Sequence, residues 1–243
     1  QLAEEGRVRL EDRVTDLLPA MKGKLDDRIT VRHLLQQTSG FRRSGDGRLW
    51  ERPEQYDENR FRHFEPEELV DIALGSDEPR PTPGTDWQYA NTNYIVAGMV
   101  IEQITGNSIE KELRDRIFRP LGLRDTTFVD YNPFILGRHM RGYLPAEPGQ
   151  APQDTTVYSM SYAWASGAVV STGQDVTRFM KAVLGGELLS KASLARMQDV
   201  REFGYGLGLY PVALPCGGTV WGHNGAVFGY QGTVYSTADG SQQ

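Results

Sequence analysis

Three strand-like runs joined by short turns occupy the last part of the sequence, and this feature constrains the fold most. They cover residues 204–210, 219–223 and 230–236, and the segments between them contain glycine or proline. Strands with such short connections pair antiparallel, because a parallel pair needs a crossover of a dozen or more residues. We therefore expect an antiparallel sheet with helices packed on it, an α/β (α+β) fold.

The first two thirds of the chain have mostly helical patterns. A long irregular stretch, 41–64, interrupts them, and loops of that length in compact domains are usually functional or mobile. We divide the domain into a mostly helical region, 1–155, and a sheet region, 156–243. Capping residues, a first-turn proline and apolar spacing predict helices over 31–37, 66–74, 93–104 and 176–184, and small residues predict a buried strand over 165–171.

Composition excludes several classes of function. The 243 residues carry a net charge of −6, and the basic residues are scattered rather than grouped. We therefore expect no nucleic-acid partner. No apolar stretch approaches the roughly 18 residues that a membrane helix needs, so we expect no membrane span. We also expect no metal ion and no cofactor.

Both ends of the chain look cut. Residues 1–6 resemble the last turn of a helix closed by glycine, and the final strand leaves through Asp239-Gly240 with no partner strand after it. We expect a sheet that is incomplete at both ends, with an exposed edge that self-associates or binds a complementing segment. The single cysteine, Cys216, is either a buried inert thiol or the partner of a cysteine outside the chain.

Three segments carry side chains suited to chemistry. Tyr89 and Asn91 precede a predicted helix, and His223 lies between glycines at the end of a predicted strand. Segment 34–40 has adjacent polar residues at a helix end. Each also has a simpler interpretation: an Asx-type turn, a core histidine bonded to a carbonyl, and an ordinary helix terminus.

The order of two of these motifs resembles that of a known family. Penicillin-recognising serine hydrolases have Ser-x-x-Lys, then Ser-Asp-Asn or Tyr-x-Asn, then Lys-Thr-Gly or His-x-Gly. This sequence has Tyr89-Ala-Asn91 and later His223-Asn-Gly225. It resembles extracellular actinobacterial D-alanyl-D-alanine carboxypeptidases, class C β-lactamases and related esterases, which implies a β-lactamase/transpeptidase-like fold. The similarity covers nearly the whole chain, including 27–35, 89–99, 116–123 and 205–209.

The Ser-x-x-Lys motif departs from the family pattern. The resemblance places it two to three helical turns before Gln1, and no such pair precedes Tyr89. The one literal match, Ser108-Ile-Glu-Lys111, follows Tyr89, and Ser108 stands where a helix N-cap belongs. We therefore interpret Ser108 as a cap and expect this chain alone to be inactive.

The resemblance implies acyl transfer through a serine ester that water later hydrolyses. Tyr89 would act as a phenolate base, Asn91 would hold the substrate amide, and His223 would add charge or relay a proton. The backbone N–H of Ala226 would supply one oxyanion donor. The substrate-binding positions implied by the resemblance are Asn224, Gly225, Tyr210, Tyr162, Trp164, Leu49 and Arg52.

The resemblance also bears on the substrate. Carboxypeptidase relatives hold a substrate carboxylate with an arginine just after the Gly-Leu-Gly-Leu strand, and this chain has Tyr210 there. A neutral hydroxyl replaces a charged fork, so we expect weaker binding of a free carboxylate unless Arg52 restores the charge. The resemblance further implies an extracellular or periplasmic location, and a disulfide from Cys216 to a cysteine farther toward the C-terminus.

Two classes of function follow from these observations. The first is a secreted serine hydrolase for a small-molecule or peptide substrate, of the D-Ala-D-Ala carboxypeptidase or β-lactamase type, or an esterase or D-amino-acid amidase of the same fold. The second is a non-catalytic, penicillin-binding-like binding or scaffold protein. Tyr89, Asn91 and His223 together favour the enzyme, because a binding module has no need of all three.

Overall fold

A computed structural model describes residues 1–43, 47, 49, 54–145, 149 and 151–243. The helices with described bounds are α1 (Val14–Leu17), α2 (Val31–Leu35), α3 (Glu54–Asn59), α4 (Pro66–Leu74), α5 (Asn91–Thr105), α6 (Ile109–Leu113), α7 (Gly173–Leu184) and α8 (Lys191–Met197), and a π-helical stretch, Arg114–Phe118, continues α6. The strands are β1 (Thr127–Phe128), β2 (Tyr143–Leu144), β3 (Gln153–Asp154), β4 (Val169–Val170), β5 (Tyr210–Ala213), β6 (Thr219–Val227) and β7 (Tyr230–Thr237).

The largest sheet of the described chain has three antiparallel strands in the order β5-β6-β7. β6 lies in the middle and pairs with β7 along 220–227, but with β5 only along 219–222. The predicted antiparallel sheet is therefore confirmed. One consequence bears on function: beyond Gly222, the β5 side of β6 has no strand partner among the described residues.

The strand predicted over 204–210 is wrong. The chain makes a compact turn there, in which the Gly206 N–H donates to the Leu209 carbonyl at 2.8 Å, and β5 begins only at Tyr210. Gly206 fits because the Met197 carbonyl oxygen would lie 2.2 Å from a Cβ at that position. Close packing against the end of α8 therefore overrides the apolar pattern that suggested a strand.

Helix α5 is the centre of the main core. Gly106 ends it in a left-handed conformation (φ 72°) that glycine adopts without strain. Gly98 lies in its middle because Trp164 and Ala165 pack directly against it. A Cβ there would lie 2.8 Å from the indole ring and 2.4 Å from the alanine Cβ.

This packing corrects two predictions. The run 165–171 is not one strand: Trp164–Ser166 form a 3-10 turn, and only β4 pairs, with β1. Trp164, predicted to contact substrate, is 5% exposed and fills the core under α5. Its burial against a glycine leaves little surface for a ligand.

A smaller core joins α7 to the sheet. Met180, Val183 and Leu184 are buried there, and Trp221 and Val234 pack against them. The main core extends from Val14 to Ala168, so the two cores divide the chain somewhat after the predicted boundary at residue 155. That boundary stays a prediction.

Exposed large apolar side chains lie mainly outside the sheet. Within the described ranges they concentrate in 131–143, where Leu136 is 81% and Met140 is 80% exposed, and none lies on β7. The predicted association through a sheet edge therefore stays a prediction. Cys216 is free and exposed, so its interpretation as a buried thiol is wrong. No described helix is both long and apolar enough to cross a membrane.

Candidate active site

Tyr89 and His223 lie side by side although 134 positions separate them in the printed sequence. Their ring centroids are 5.9 Å apart. Both side chains are half-buried, so each keeps a face toward solvent. Asn91 is the first residue of α5, two positions after Tyr89. The fold thus brings the two predicted motifs to one place, and the chemical roles of these residues stay proposals.

A buried glutamine holds the segment that carries Tyr89. Gln37 is 1% exposed, and its Oε1 accepts hydrogen bonds from the Ala90 N–H at 3.0 Å and the Asn93 Nδ2 at 2.6 Å. Its backbone carbonyl accepts from the Gln88 N–H at 2.9 Å. These bonds fix the backbone on both sides of Tyr89, which orients the phenol.

Gln37 can do this because α2 stops early. The helix predicted over 31–37 ends at Leu35, and Gln37 takes φ 62°, a left-handed conformation that costs energy in a residue with a Cβ. Gly40 (φ 92°) follows, and a Cβ there would lie 2.5 Å from the Pro81 carbonyl oxygen. Segment 34–40 is therefore more than a helix terminus: it supports the Tyr89 loop.

Tyr205 connects this support to His223. It is 4% exposed, and its hydroxyl lies 2.9 Å from the His223 Nε2. Gln36 donates through Nε2 to the Tyr205 carbonyl at 3.2 Å, which fixes the backbone. Burial raises the pKa of Tyr205 well above its ordinary value. The ring therefore stays a neutral phenol against the histidine.

The neighbouring end of the cleft is lined by neutral hydroxyl groups. The Tyr210 hydroxyl donates to the Asn224 Oδ1 at 3.0 Å and lies 2.7 Å from the Tyr235 hydroxyl. Tyr210, Gly222 and Tyr235 stand in register across three strands, so the glycine leaves room for the two rings to meet. Burial raises the pKa of Tyr210 to about 12, and the group is uncharged near neutral pH.

The outer part of β6 is open. Asn224, Gly225 and Ala226 are exposed, and no heavy atom lies within 4 Å of a Cβ built on Gly225. Because β5 stops pairing at Gly222, backbone groups on that side of β6 are available to a ligand. An oxyanion donor at the Ala226 N–H stays a proposal.

Tyr162 belongs to an aromatic cluster at the end of β6. Its ring is 6.1 Å from Phe228 and 6.2 Å from Tyr158, and Tyr56 lies 4.9 Å from Phe228. Tyr162 and Phe228 are half-buried, whereas the other two rings are buried. The cluster forms an apolar wall. One of its members, Phe228, lies two positions after Ala226 in the sequence.

Two other predicted substrate contacts, Leu49 and Arg52, stay predictions. Leu49 is 9% exposed and packs in the main core, so it has little surface for a substrate. Arg52 lies outside the described residues. Ser108 accepts a hydrogen bond from the Lys111 N–H at 3.2 Å as the N-cap of α6, which confirms its interpretation as a cap.

No metal centre accompanies these side chains in the part of the chain that the structure describes. None of its groups of His, Cys, Asp and Glu has three members placed to hold an ion.

Sequence reasoning missed Gln37 and Tyr205. Neither belongs to a catalytic triplet, and a glutamine after a short helix is an ordinary residue. Tyr205 had one available signal, because it opens the Gly206-Leu-Gly-Leu run that the resemblance already included.

The chain matches the family model described as Beta-lactamase over residues 1–239. A D-stereospecific amidohydrolase from Streptomyces sp. has a similar structure, with a TM-score of 0.88, 35% identity and coverage of 99% of this chain and 74% of that one. D-amino acid amidase from Ochrobactrum anthropi SV3, solved with D-phenylalanine, gives a TM-score of 0.80 at 28% identity, over 95% of this chain and 67% of that one.

A curated relative, penicillin-binding protein 4 of Amycolatopsis lactamdurans, is 30% identical over 99% of this chain and 61% of its own length. The chain spans about half to three fifths of the first curated relatives it matches.

Proposed function

The chain belongs to the beta-lactamase family of serine hydrolases, and on this premise we propose that it forms the substrate cleft of an acyl-transfer hydrolase for neutral amides or esters of D-amino acids. The observation that carries the proposal is the adjacency of Tyr89 and His223, 5.9 Å apart, to a cleft end lined by uncharged hydroxyls.

In the proposed reaction a serine hydroxyl attacks the substrate carbonyl, the leaving group departs, and water hydrolyses the ester. Tyr89 would take the serine proton. A free phenol titrates near pH 10, so Tyr89 needs a cation beside it to act near neutrality, and the lysine of a Ser-x-x-Lys motif is the natural supplier. Asn91 would hold the substrate amide, and the Ala226 N–H would face the oxyanion.

The preference for a neutral leaving group rests on Tyr210. Its hydroxyl is already shared with Asn224 and Tyr235, and no Arg or Lys of the described chain hydrogen-bonds to any of these three side chains. A free carboxylate that binds there would lose hydrogen bonds to water and gain only neutral hydrogen-bond partners. Loss of a charge-assisted contact typically costs about 1–2 kcal/mol, or roughly tenfold in binding.

The acyl part of the substrate is proposed to contact the aromatic wall. Tyr162 and Phe228 are the half-buried members of that cluster, and apolar side chains bind such surfaces without a charged partner. The solved complex of the D-amino acid amidase with D-phenylalanine supports this size class of substrate. Kinship with penicillin-binding proteins supports an extracellular or periplasmic location.

The test uses the chain extended upstream of Gln1 by a Ser-x-x-Lys helix of the family. We expect D-phenylalanine amide and a D-Ala-D-Ala amide to be better substrates than the D-Ala-D-Ala free acid. Tyr210→Arg should improve kcat/KM for the free acid by roughly tenfold relative to the amide.

The matched control is Tyr131→Arg, which adds the same charge at a tyrosine that is 75% exposed. It should leave the acid-to-amide ratio unchanged. If the unmodified cleft already prefers the free acid and Tyr210→Arg adds nothing, the neutral-substrate proposal is wrong. If the extended chain never reacts with a labelled penicillin or an amide, the non-catalytic alternative is favoured.

A further inference from the structure

The hydrogen bonds of His223 determine which of its ring nitrogens carries the proton. Nδ1 lies 2.5 Å from the Asn224 carbonyl oxygen, and Nε2 lies 2.9 Å from the Tyr205 hydroxyl. A carbonyl can only accept, so Nδ1 must donate. In the neutral ring Nε2 is then the acceptor, and the hydroxyl of Tyr205 must donate to it.

Tyr205 is suited to be a permanent donor. The side chain is 4% exposed, and burial raises its pKa well above the ordinary value for a phenol, so it keeps its proton throughout the physiological range. Its backbone is fixed by Gln36, and its ring is 6.4 Å from Tyr89, with the two planes near perpendicular. The hydroxyl therefore points at His223 from a rigid base.

His223 is packed among aromatic rings. Tyr89, Tyr205 and Tyr210 surround it at centroid distances of 5.9, 5.9 and 5.6 Å. The Tyr210 hydroxyl is directed to Asn224 and Tyr235 instead of to the imidazole. The Tyr205 hydroxyl thus contacts the ring nitrogen that faces away from the Asn224 carbonyl.

We propose that the Asn224 carbonyl fixes neutral His223 in its Nδ1–H tautomer, and that Tyr205 is a positioning residue whose hydroxyl donates to the Nε2 lone pair and occupies it. Neutral His223 then has no free lone pair for a proton from the nucleophile or the substrate. In the cleft it acts as an oriented dipole beside Tyr89, and the base is Tyr89. This consequence for the reaction rests on the proposed function, whereas the tautomer itself does not.

The test is ¹⁵N NMR of the chain with labelled histidine at alkaline pH. The chain has four histidines, and His223→Gln identifies the resonances of this one. We expect the wild type to carry the proton on Nδ1. Tyr205→Phe keeps the ring and removes the hydroxyl, so the proton should stay on Nδ1 against the Asn224 carbonyl, whereas the Nε2 resonance should shift downfield because its lone pair loses the donated proton.

Tyr210→Phe is the matched control. It removes a hydroxyl from another ring that packs on His223 but does not contact its nitrogens, so the Nε2 resonance should stay as in the wild type. A wild-type spectrum with the proton on Nε2 overturns the proposal even if Tyr205→Phe fails to fold, as does an unchanged Nε2 resonance in a folded Tyr205→Phe. The measurement needs no turnover, so its failure is distinct from failure of the proposed activity.

Discussion

Replacing Gln37 by leucine removes the acceptor that organises the Tyr89 loop. Its Oε1 binds two donors, the N–H of Ala90, which is fully buried, and the Nδ2 of Asn93. An unsatisfied buried donor costs about 1–3 kcal/mol. Asn93 keeps a longer contact to the Ala90 carbonyl at 3.3 Å, so its share is the smaller one. We expect a loss of about 2–4 kcal/mol in the free energy of unfolding.

The assay is urea unfolding followed by circular dichroism, with the slope of the transition compared between variants. Gln103→Leu is the control, because it makes the same chemical change at an exposed position of α5 and should alter stability by no more than about 0.5 kcal/mol. A loss of less than about 1 kcal/mol for Gln37→Leu, at an unchanged slope, would refute the view that this side chain supports the loop.

Three further predictions concern Ser108, His33 and Cys216. The chain alone should form no covalent adduct with a labelled penicillin, and Ser108→Ala should change only stability, by about 1 kcal/mol; a label on Ser108 in a digest would contradict this. Burial lowers the pKa of His33, so the unfolded chain takes up a proton before the folded chain does, and the free energy of unfolding should fall as the pH drops below about 6.5. His33→Gln, which can keep the capping box, should flatten this part of the plot of unfolding free energy against pH. Cys216 should react with a maleimide in the native chain as fast as in urea, and strong protection in the native state would contradict its exposure.

Local signals in the sequence were sufficient for much of the architecture. Glycine and capping residues act on their own turn of chain, so the ends of α4 at Leu74 and of α5 before Gly106 follow the printed pattern. Antiparallel pairing of β6 with β7 follows from their short connection. The Tyr-x-Asn and His-x-Gly motifs could be recognised because chemistry restricts residue types at those positions.

Residues whose role depends on a distant contact could be assigned only from the tertiary structure. Gln37 leaves the helical conformation because its oxygen has two buried donors 53 and 56 positions away. Trp164 is a core residue because Gly98 of another helix leaves space for the indole. The Tyr205 hydroxyl contacts His223 because the turn over 204–209 replaces the strand that the local apolar pattern predicts. Composition and periodicity report the preferences of neighbouring residues, whereas a hydrogen bond across the fold depends on which segments the packing brings together.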